Sequence, residues 1–396
     1  MSITITLIQF IALIALTYIC IAVCYPFILS LIALLKKGSI PKLQNSNTNR
    51  IAVMIPAYKE DQVIVGTVQS ALNQNYPNEY FEVIVIADSL KASTLQTLET
   101  LDCEVHRVQF QNSTKVKALN SALNCYSESN FDIAVVLDAD NIMCSDFLHQ
   151  INSAYNIGCM AIQGQRVSKN KNTDISYMDG LSEDLNNHIL CMGQYSIGGS
   201  SRLSGSGMAF QWSLLVECLK DMQVINGFDK YLELEIVKRA YRIHYLPHAI
   251  ILDEKVDNGE VFQKQRTRWL AAQYTCLADN FKEGFHQLFK NRNWDYIQKI
   301  VLLALPPKVL FIPFLGLLAI ISISLSKYGL AGMFMIFLGL NIITYTIAGA
   351  SSLFNKETSI HFLGFPKLIM LTFKALKNHS LAKDKFLHTS HNSNQK

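Results

Sequence analysis

No charged side chain occurs between Met1 and Leu35. A bilayer span takes about 20 apolar residues, so this stretch is long enough to cross even with tilt. A cleaved signal peptide would carry a basic leading region and a shorter apolar run, and neither is present. Lys36, Lys37, Lys42 and Arg50 follow without an intervening acid, which predicts a cytoplasmic location for what comes next. Towards the other end, residues 301–326 contain Lys308 as their single charge, with Pro306-Pro307 near the entry, and residues 328–355 contain none. The short connection at Lys327 predicts a helical hairpin. Lys282, Lys290, Arg292 and Lys299 precede it and Lys356 and Lys367 follow it, so both flanks are expected on the cytoplasmic side.

The chain therefore divides into a span over 1–36, a polar segment over 50–275, an interfacial helix region over 276–300, the hairpin over 301–355, and a last segment over 356–396. In that last segment, residues 361–378 mix large apolar residues with Lys367, Lys374 and Lys377, the pattern of a helix lying in the interface. The tail from about Ala382 is polar. The expectation is a multi-pass protein of a bacterial cell membrane, its polar segment cytoplasmic and in contact with membrane lipids. Hydrophobic residues make up 50% and charged ones 17%, which suits a soluble domain carrying a few spans. A net charge of +4 is too modest for nucleic acid as the main partner, which takes a concentrated basic face. The nine cysteines include no CxxC and no zinc-site spacing, so they read as small core hydrophobes in a reducing compartment.

Within the polar segment, apolar runs alternate with helical patterns. Strands are predicted at Ile51–Ile55, Phe81–Ala87, Glu104–Val108, Ile133–Leu137 and Cys159–Gln163, and helices at 60–74, Leu95–Leu101, Lys115–Tyr126 and 145–156. Such alternation predicts an α/β domain with a doubly wound, mostly parallel sheet. Ligands then bind beyond the carboxyl ends of the strands. Glu60, Asp88, Asp138 and Asp140 all fall there.

In an extended segment, residues i and i+2 point the same way. Asp138 and Asp140 can thus share one hard cation, Mg²⁺ or Mn²⁺, with phosphate oxygens; a solvated turn is the other reading. Gln265-Arg266-Thr267-Arg268-Trp269 sets forked phosphate donors beside a flat face for a sugar ring, and equally suits a basic helix resting on headgroups. Asp229 offers either a general base for a hydroxyl or a helix cap. Glu233 and Glu235 are rivals for that role, but they alternate with Leu232, Leu234 and Ile236 as a solvated face would. Gly198-Gly199 and Gly205-Ser206-Gly207 lack the lysine of a P-loop and read as a flexible loop lining the acceptor side. His244 and His248 flank a Leu-Pro turn and read as structural.

Taken in order, these pieces resemble the membrane-bound family 2 glycosyltransferases, the group of cellulose, chitin and hyaluronan synthases. The resemblance covers roughly residues 50–275 and extends into the flanking spans. Ile55-Pro56-Ala57-Tyr58-Lys59-Glu60 is similar to the opening donor motif, with Lys59 where Asn is usual, and Gln74-Asn75-Tyr76-Pro77 follows. Ala87-Asp88 resembles the acid that reads the nucleotide base. Lys115-Val116-Lys117-Ala118-Leu119-Asn120 resembles the Lys-x-x-Ala-Leu-Asn motif. Asp138-Ala139-Asp140 resembles the metal motif, Gly205-Ser206-Gly207 the acceptor-side loop, and Gln265, Arg268 and Trp269 the Gln-x-x-Arg-Trp motif. One departure is Gly227-Phe228-Asp229: the residue before the base is usually an acid, and here it is Phe228.

The resemblance implies a GT-A fold and a single inverting displacement on a nucleoside diphosphate-sugar, with UDP the expected nucleotide. Asp138 and Asp140 would hold Mg²⁺ or Mn²⁺. Ala57, Tyr58, Glu60, Asp88, Lys115 and Asp138 would bind the donor. Asp229 would be the base. Gly205, Gln265, Arg268 and Trp269 would serve the diphosphate and the acceptor, with Trp269 stacked on the acceptor sugar. Loss of the acid at Phe228 is expected to lower the pKa of Asp229. The acceptor is a glycan, which at polymer length would need an export partner, or a lipid-linked molecule receiving one sugar. A catalytically inactive membrane scaffold is the reading from a different class.

Overall fold

The computed structural model describes residues 2–36, 47–353 and 361–382. Lys37, Lys42, Lys356 and the tail beyond Ala382 lie outside them.

Helix α1 spans Ser2–Lys36. The polar segment follows as β1 (Ile51–Tyr58), α2 (Ile64–Leu72), β2 (Phe81–Asp88), α3 (Ala92–Leu98), β3 (Glu104–Val108), α4 (Lys115–Cys125), β4 (Ile133–Val136), β5 (Ile142–Met143), α5 (Phe147–Asn156) and β6 (Ala161–Ser168). Next come α6 (Asp174–Asn186), a π-helical stretch (Asn187–Gly193), the short α7 (Gln194–Ser196), β7 (Met208–Gln211), α8 (Trp212–Leu219), α9 (Phe228–Lys238), β8 (Ile243–Asp253) and α10 (Gly259–Phe289). The chain ends in α11 (Trp294–Ala304), α12 (Lys308–Ser324), α13 (Tyr328–Ala348), α14 (Ala350–Leu353) and α15 (Phe365–Asn378).

The strands form one sheet in the order β3-β2-β1-β4-β7-β6-β8-β5. The expected parallel core is β3-β2-β1-β4. Beyond it the sheet is mixed: β7 runs antiparallel to β4 and β6, and β5 antiparallel to β8. Side chains alternate between the faces of a strand. Ala52, Met54, Ile84 and Ile86 therefore pack under α4, α8 and α9. Ile51, Val53 and Ile55 pack against α2 and α5 on the other face. Burial on both faces is why β1 is a continuous apolar run.

Strands β7 and β8 were not expected. In β7, three apolar residues and Gln211 beside a glycine carry no period that separates strand from loop. In β8, Pro247 reads as a turn, yet the strand continues through it. The register with β6 jumps from Gly164↔Leu246 to Gln165↔Ile250, so Pro247 sits in a bulge where no ladder hydrogen bond is asked of it.

Two described helices are long and apolar enough to cross a membrane, α1 and α13. They become three if α11 and α12 make one span bent by 69° at Leu305-Pro306-Pro307. The connection at Lys327 turns α12 back onto α13. Ile19 and Val23 of α1 pack with Phe311 and Leu315 of α12 and Phe334 of α13. Helix α15 buries Leu368, Leu371 and Ala375 against the domain, with Ile175 and Phe262, and leaves Lys367, Lys374 and Lys377 exposed. That is the amphipathic face expected of an interfacial helix, here docked on α6 and α10.

Candidate active site

Strands β1, β2 and β4 are parallel and in register, so their carboxyl ends open onto one edge of the sheet. Tyr58 pairs with Asp88 across β1 and β2, and the backbone N–H of Lys59 donates to the Asp88 carbonyl at 3.1 Å. Lys59 takes a left-handed backbone, φ 57°. Asn tolerates that region best among residues with a side chain, which gives a physical reason for Asn being usual at this position. Asp88 is buried and accepts from Ser89 Oγ at 2.9 Å.

Lys115 opens α4, whose Thr114 cap accepts from the Lys117 N–H. The Lys115 ammonium contacts the Asp138 carboxylate, donates to the Gly205 carbonyl at 2.7 Å and stands 4.8 Å above the Phe228 ring. The residue that breaks the acidic pattern is thus a core side chain, 8% exposed, whose face receives the lysine charge.

The stretch around Gly205 is pinned, which corrects the flexible loop expected from its composition. Gln163 accepts from the Ser204 N–H at 2.9 Å and donates to the Ser206 carbonyl at 3.0 Å. Arg166 donates to the Ser204 carbonyl at 2.7 Å. Ser206 Oγ accepts from the Asp138 N–H at 2.9 Å and donates to Asn141 at 2.5 Å, which ties the loop to the Asp-Ala-Asp segment. Gly205 holds φ at +90°, a conformation that L side chains rarely adopt, and a Cβ there would lie 4.0 Å from Asp229 Cβ.

Asp229 lies in the first turn of α9, after left-handed Gly227. A Cβ on Gly227 would come within 2.6 Å of Ala272 Cβ, so glycine permits the close approach of α9 to α10. Burial pushes the Asp229 carboxyl up, but Lys230, at 3.3 Å, together with Arg202 and Lys115 holds it below the ordinary range. The direction agrees with the expected one; the cations are the cause on view. Removing one should raise the carboxyl. With Lys230→Gln, the acid limb of the pH–rate profile is expected to move to higher pH, and an unmoved limb would separate Lys230 from the titrating group.

Glu233 is not on a solvated side. It is 8% exposed, pairs with Lys299 at 3.2 Å and accepts from the Leu203 N–H at 2.7 Å, which fastens the start of the same loop. Glu235 pairs with Arg239 and fits the solvated reading. His244 lies within β8, 3.4 Å from the Tyr195 hydroxyl, and burial pushes it down to about 4.

The Gln-x-x-Arg-Trp residues sit in the first half of α10. Burial pushes the Arg268 guanidinium down, while Asp138, Asp229 and Glu60 pull it back up, so it lies in the field of all three carboxylates. Gln265 Oε1 is buried with no hydrogen-bond donor among the described residues. One face of Trp269 is covered by Arg266, whose guanidinium lies 4.5 Å from the ring centroid and contacts Asp179.

One cavity of about 510 Å³ is lined by Ala57, Tyr58, Glu60, Asp88, Lys115, Asp138, Asp140, Gly205, Asp229, Gln265, Arg268 and Trp269. Sequence reasoning missed the charged set on its inner wall. Asp253, the last residue of β8, takes Arg166 at 2.7 Å and Lys255 at 2.6 Å, and Lys255 reaches Glu183 at 3.4 Å. The signal was the strand-end position of Asp253, which an unrecognised strand concealed. Among the described residues no three His, Cys, Asp or Glu side chains form a metal cage. Asp138 and Asp140 still offer two hard oxygen donors to the cavity. That donor set fits a cation whose remaining ligands are phosphate oxygens.

A family model described as glycosyltransferase like family 2 matches residues 49–272. A probable glycosyltransferase of Bacillus subtilis, YdaM, is 25% identical over 64% of this chain and 62% of its own length. The beta-monoglucosyldiacylglycerol synthase of Trichormus variabilis is 22% identical over 71% of this chain and 63% of its own. The chain thus spans less than two thirds of either relative. Among solved structures, the mannosyltransferase PcManGT of Pyrobaculum calidifontis, in complex with GDP-Man and Mn²⁺, superposes with a TM-score of 0.59 at 16% identity. That match covers 93% of this chain and 97% of that one, a likeness of fold. The mixed, curled sheet is of GT-A type, and the chain belongs to the family 2 glycosyltransferases.

Proposed function

We propose that the protein moves a sugar, with inversion, from a UDP-sugar to a hydroxyl of a glycan or lipid-linked acceptor at the cytoplasmic face of a bacterial cell membrane. The observation that carries this reading is the convergence of Lys115, Asp138, Gly205, Asp229 and Arg268 on one cavity at the carboxyl ends of the parallel strands. Asp88 and Glu60, with Ala57 and Tyr58, bind the nucleoside end. Asp229 takes the proton of the acceptor hydroxyl as its oxygen attacks the anomeric carbon. The bond from that carbon to the diphosphate oxygen breaks, and the diphosphate leaves with the electron pair. Lys115 and Arg268 stabilise the charge that develops there. Asp138 and Asp140 would hold Mg²⁺ or Mn²⁺, which when bound supplies Lewis-acid charge to the diphosphate. The orphaned Gln265 oxygen accepts from a substrate hydroxyl. Trp269 keeps a sugar-stacking role on the face that Arg266 leaves uncovered.

The domain limits carry over as proposed: a span over 1–36, the transferase over 50–275, interfacial elements over 276–300, the hairpin over 301–355 and the interfacial helix after it. Chelation tests the metal. With EDTA present, UDP affinity is expected to fall at least tenfold and to return with Mn²⁺. The Asp138→Ala and Asp140→Ala variants should bind UDP weakly with or without metal. UDP affinity indifferent to chelation would remove the metal from the reading.

A further inference from the structure

The same cavity has a second end that donor chemistry does not use. It runs past Arg202 to Lys308 and out among Pro26, Leu305, Phe311, Tyr345 and Leu368. These side chains belong to α1, the α11–α12 break, α12, α13 and α15. The outer walls are therefore apolar and include both helices long enough to cross a membrane.

The cations between the two ends are not alike. Lys115, Arg166, Lys230, Lys255, Arg266 and Lys299 each face a carboxylate. Arg202 and Lys308 do not: among the described residues neither has a carboxylate within ion-pair distance. Lys308 donates to the Ser182 carbonyl at 3.2 Å and to Asn186 at 2.6 Å, both neutral. It is also the first residue of α12, where unpaired amides and the helix dipole already present positive charge. A lysine enclosed there is opposed by that dipole, and an anion would relieve both. Arg202 is close enough to Asp229 and to Glu183 for its charge to hold both carboxyls down, so it joins the catalytic end to the membrane end.

A molecule filling this path needs a hydroxyl near Asp229, an anion at Arg202 and Lys308, and a hydrocarbon beyond. We propose that the acceptor is a membrane lipid with a hydroxylated head joined to its tail through phosphate, the phosphate resting on Arg202 and Lys308. This deepens the reading above and rests on Asp229 as the base. The bond changes are unchanged: the head hydroxyl oxygen bonds to the anomeric carbon, the diphosphate leaves with the electron pair, and the proton goes to Asp229.

The test is binding to the full-length protein in neutral detergent, with three probes. Dioleoylphosphatidylglycerol has hydroxyl, phosphate and tail; dioleoylglycerol lacks the phosphate; glycerol 3-phosphate lacks the tail. The phospholipid is expected to bind at least tenfold more tightly than either of the others. Arg202→Gln and Lys308→Gln should each abolish the preference over dioleoylglycerol, and Arg202→Lys should keep most of it. UDP titrated with Mn²⁺ into every sample should bind within twofold of wild type, which shows the variants folded. Equal binding of the two lipids, or a preference that survives both Gln variants, overturns the inference. Glycerol 3-phosphate binding as tightly as the phospholipid overturns the lipid source. Failure of the wild type to bind UDP would instead count against the donor reading.

Discussion

Replacing Asp229 with Asn is expected to lower kcat/KM by about a thousandfold, within the range that positioned general bases contribute. The substitution keeps the shape of a side chain set in the first turn of α9 and removes its capacity to take a proton. UDP affinity should stay within twofold if, as proposed, Asp229 serves the acceptor hydroxyl rather than the nucleoside. An Asn variant with full activity would disprove the base assignment. Equal loss of activity and UDP binding would place Asp229 in the donor site instead. Lys230→Gln makes the complementary case: it keeps the base and moves its titration upward.

Replacing Asp253 with Ala should cost about 3–5 kcal/mol of stability, the usual result of breaking a buried ion pair from one side. Among the described residues, Arg166, its side chain 11% exposed, would lose its ion pair, and Lys255, 2% exposed, would keep only the longer one to Glu183. The pH dependence follows from the same group. Burial pushes Asp253 and Glu183 up, but Arg166 and Lys255 override it for both, holding Asp253 well below the carboxylate range and Glu183 down to about 2. A depressed carboxyl adds stability in full above its unfolded value of about 4, and loses it as pH falls through the folded value. The gap in thermal midpoint between wild type and Asp253→Ala is therefore expected to be widest at neutral pH and to shrink as pH falls towards about 2. A gap independent of pH would mean that Asp253 acts through packing rather than charge.

The two halves of the sheet were not equally readable from the sequence. Strands β1, β2 and β4 are buried on both faces, so they stand out as unbroken apolar runs, and the acids that end them mark the site edge directly. Strand β8 carries Pro247 in a bulge, and β7 has four residues, so neither shows a period. Asp253 went unseen as a strand-end acid for that reason. Glu233 was misread because alternation with leucines describes a half-buried strand, whereas Glu233 sits on a helix beside Lys299. The short motifs single out Lys115, Asp138, Asp229 and Arg268, which all line one cavity. Pairings made across long separations, such as Arg166 with Asp253 or Arg266 with Asp179, have no local signature at all. The same holds for Lys308, which in sequence is one charge inside an apolar stretch and in space is a wall of the cavity.

On the proposed reading, this chain by itself turns over a nucleotide-sugar through Asp229. The direct measurement is nucleotide release by the purified full-length protein across a panel of nucleoside diphosphate-sugars with Mn²⁺, compared with the Asp229→Asn variant. Wild type is expected to release UDP from a UDP-sugar, and the variant about a thousandfold less. No release from any donor, or equal release by both proteins, would contradict it.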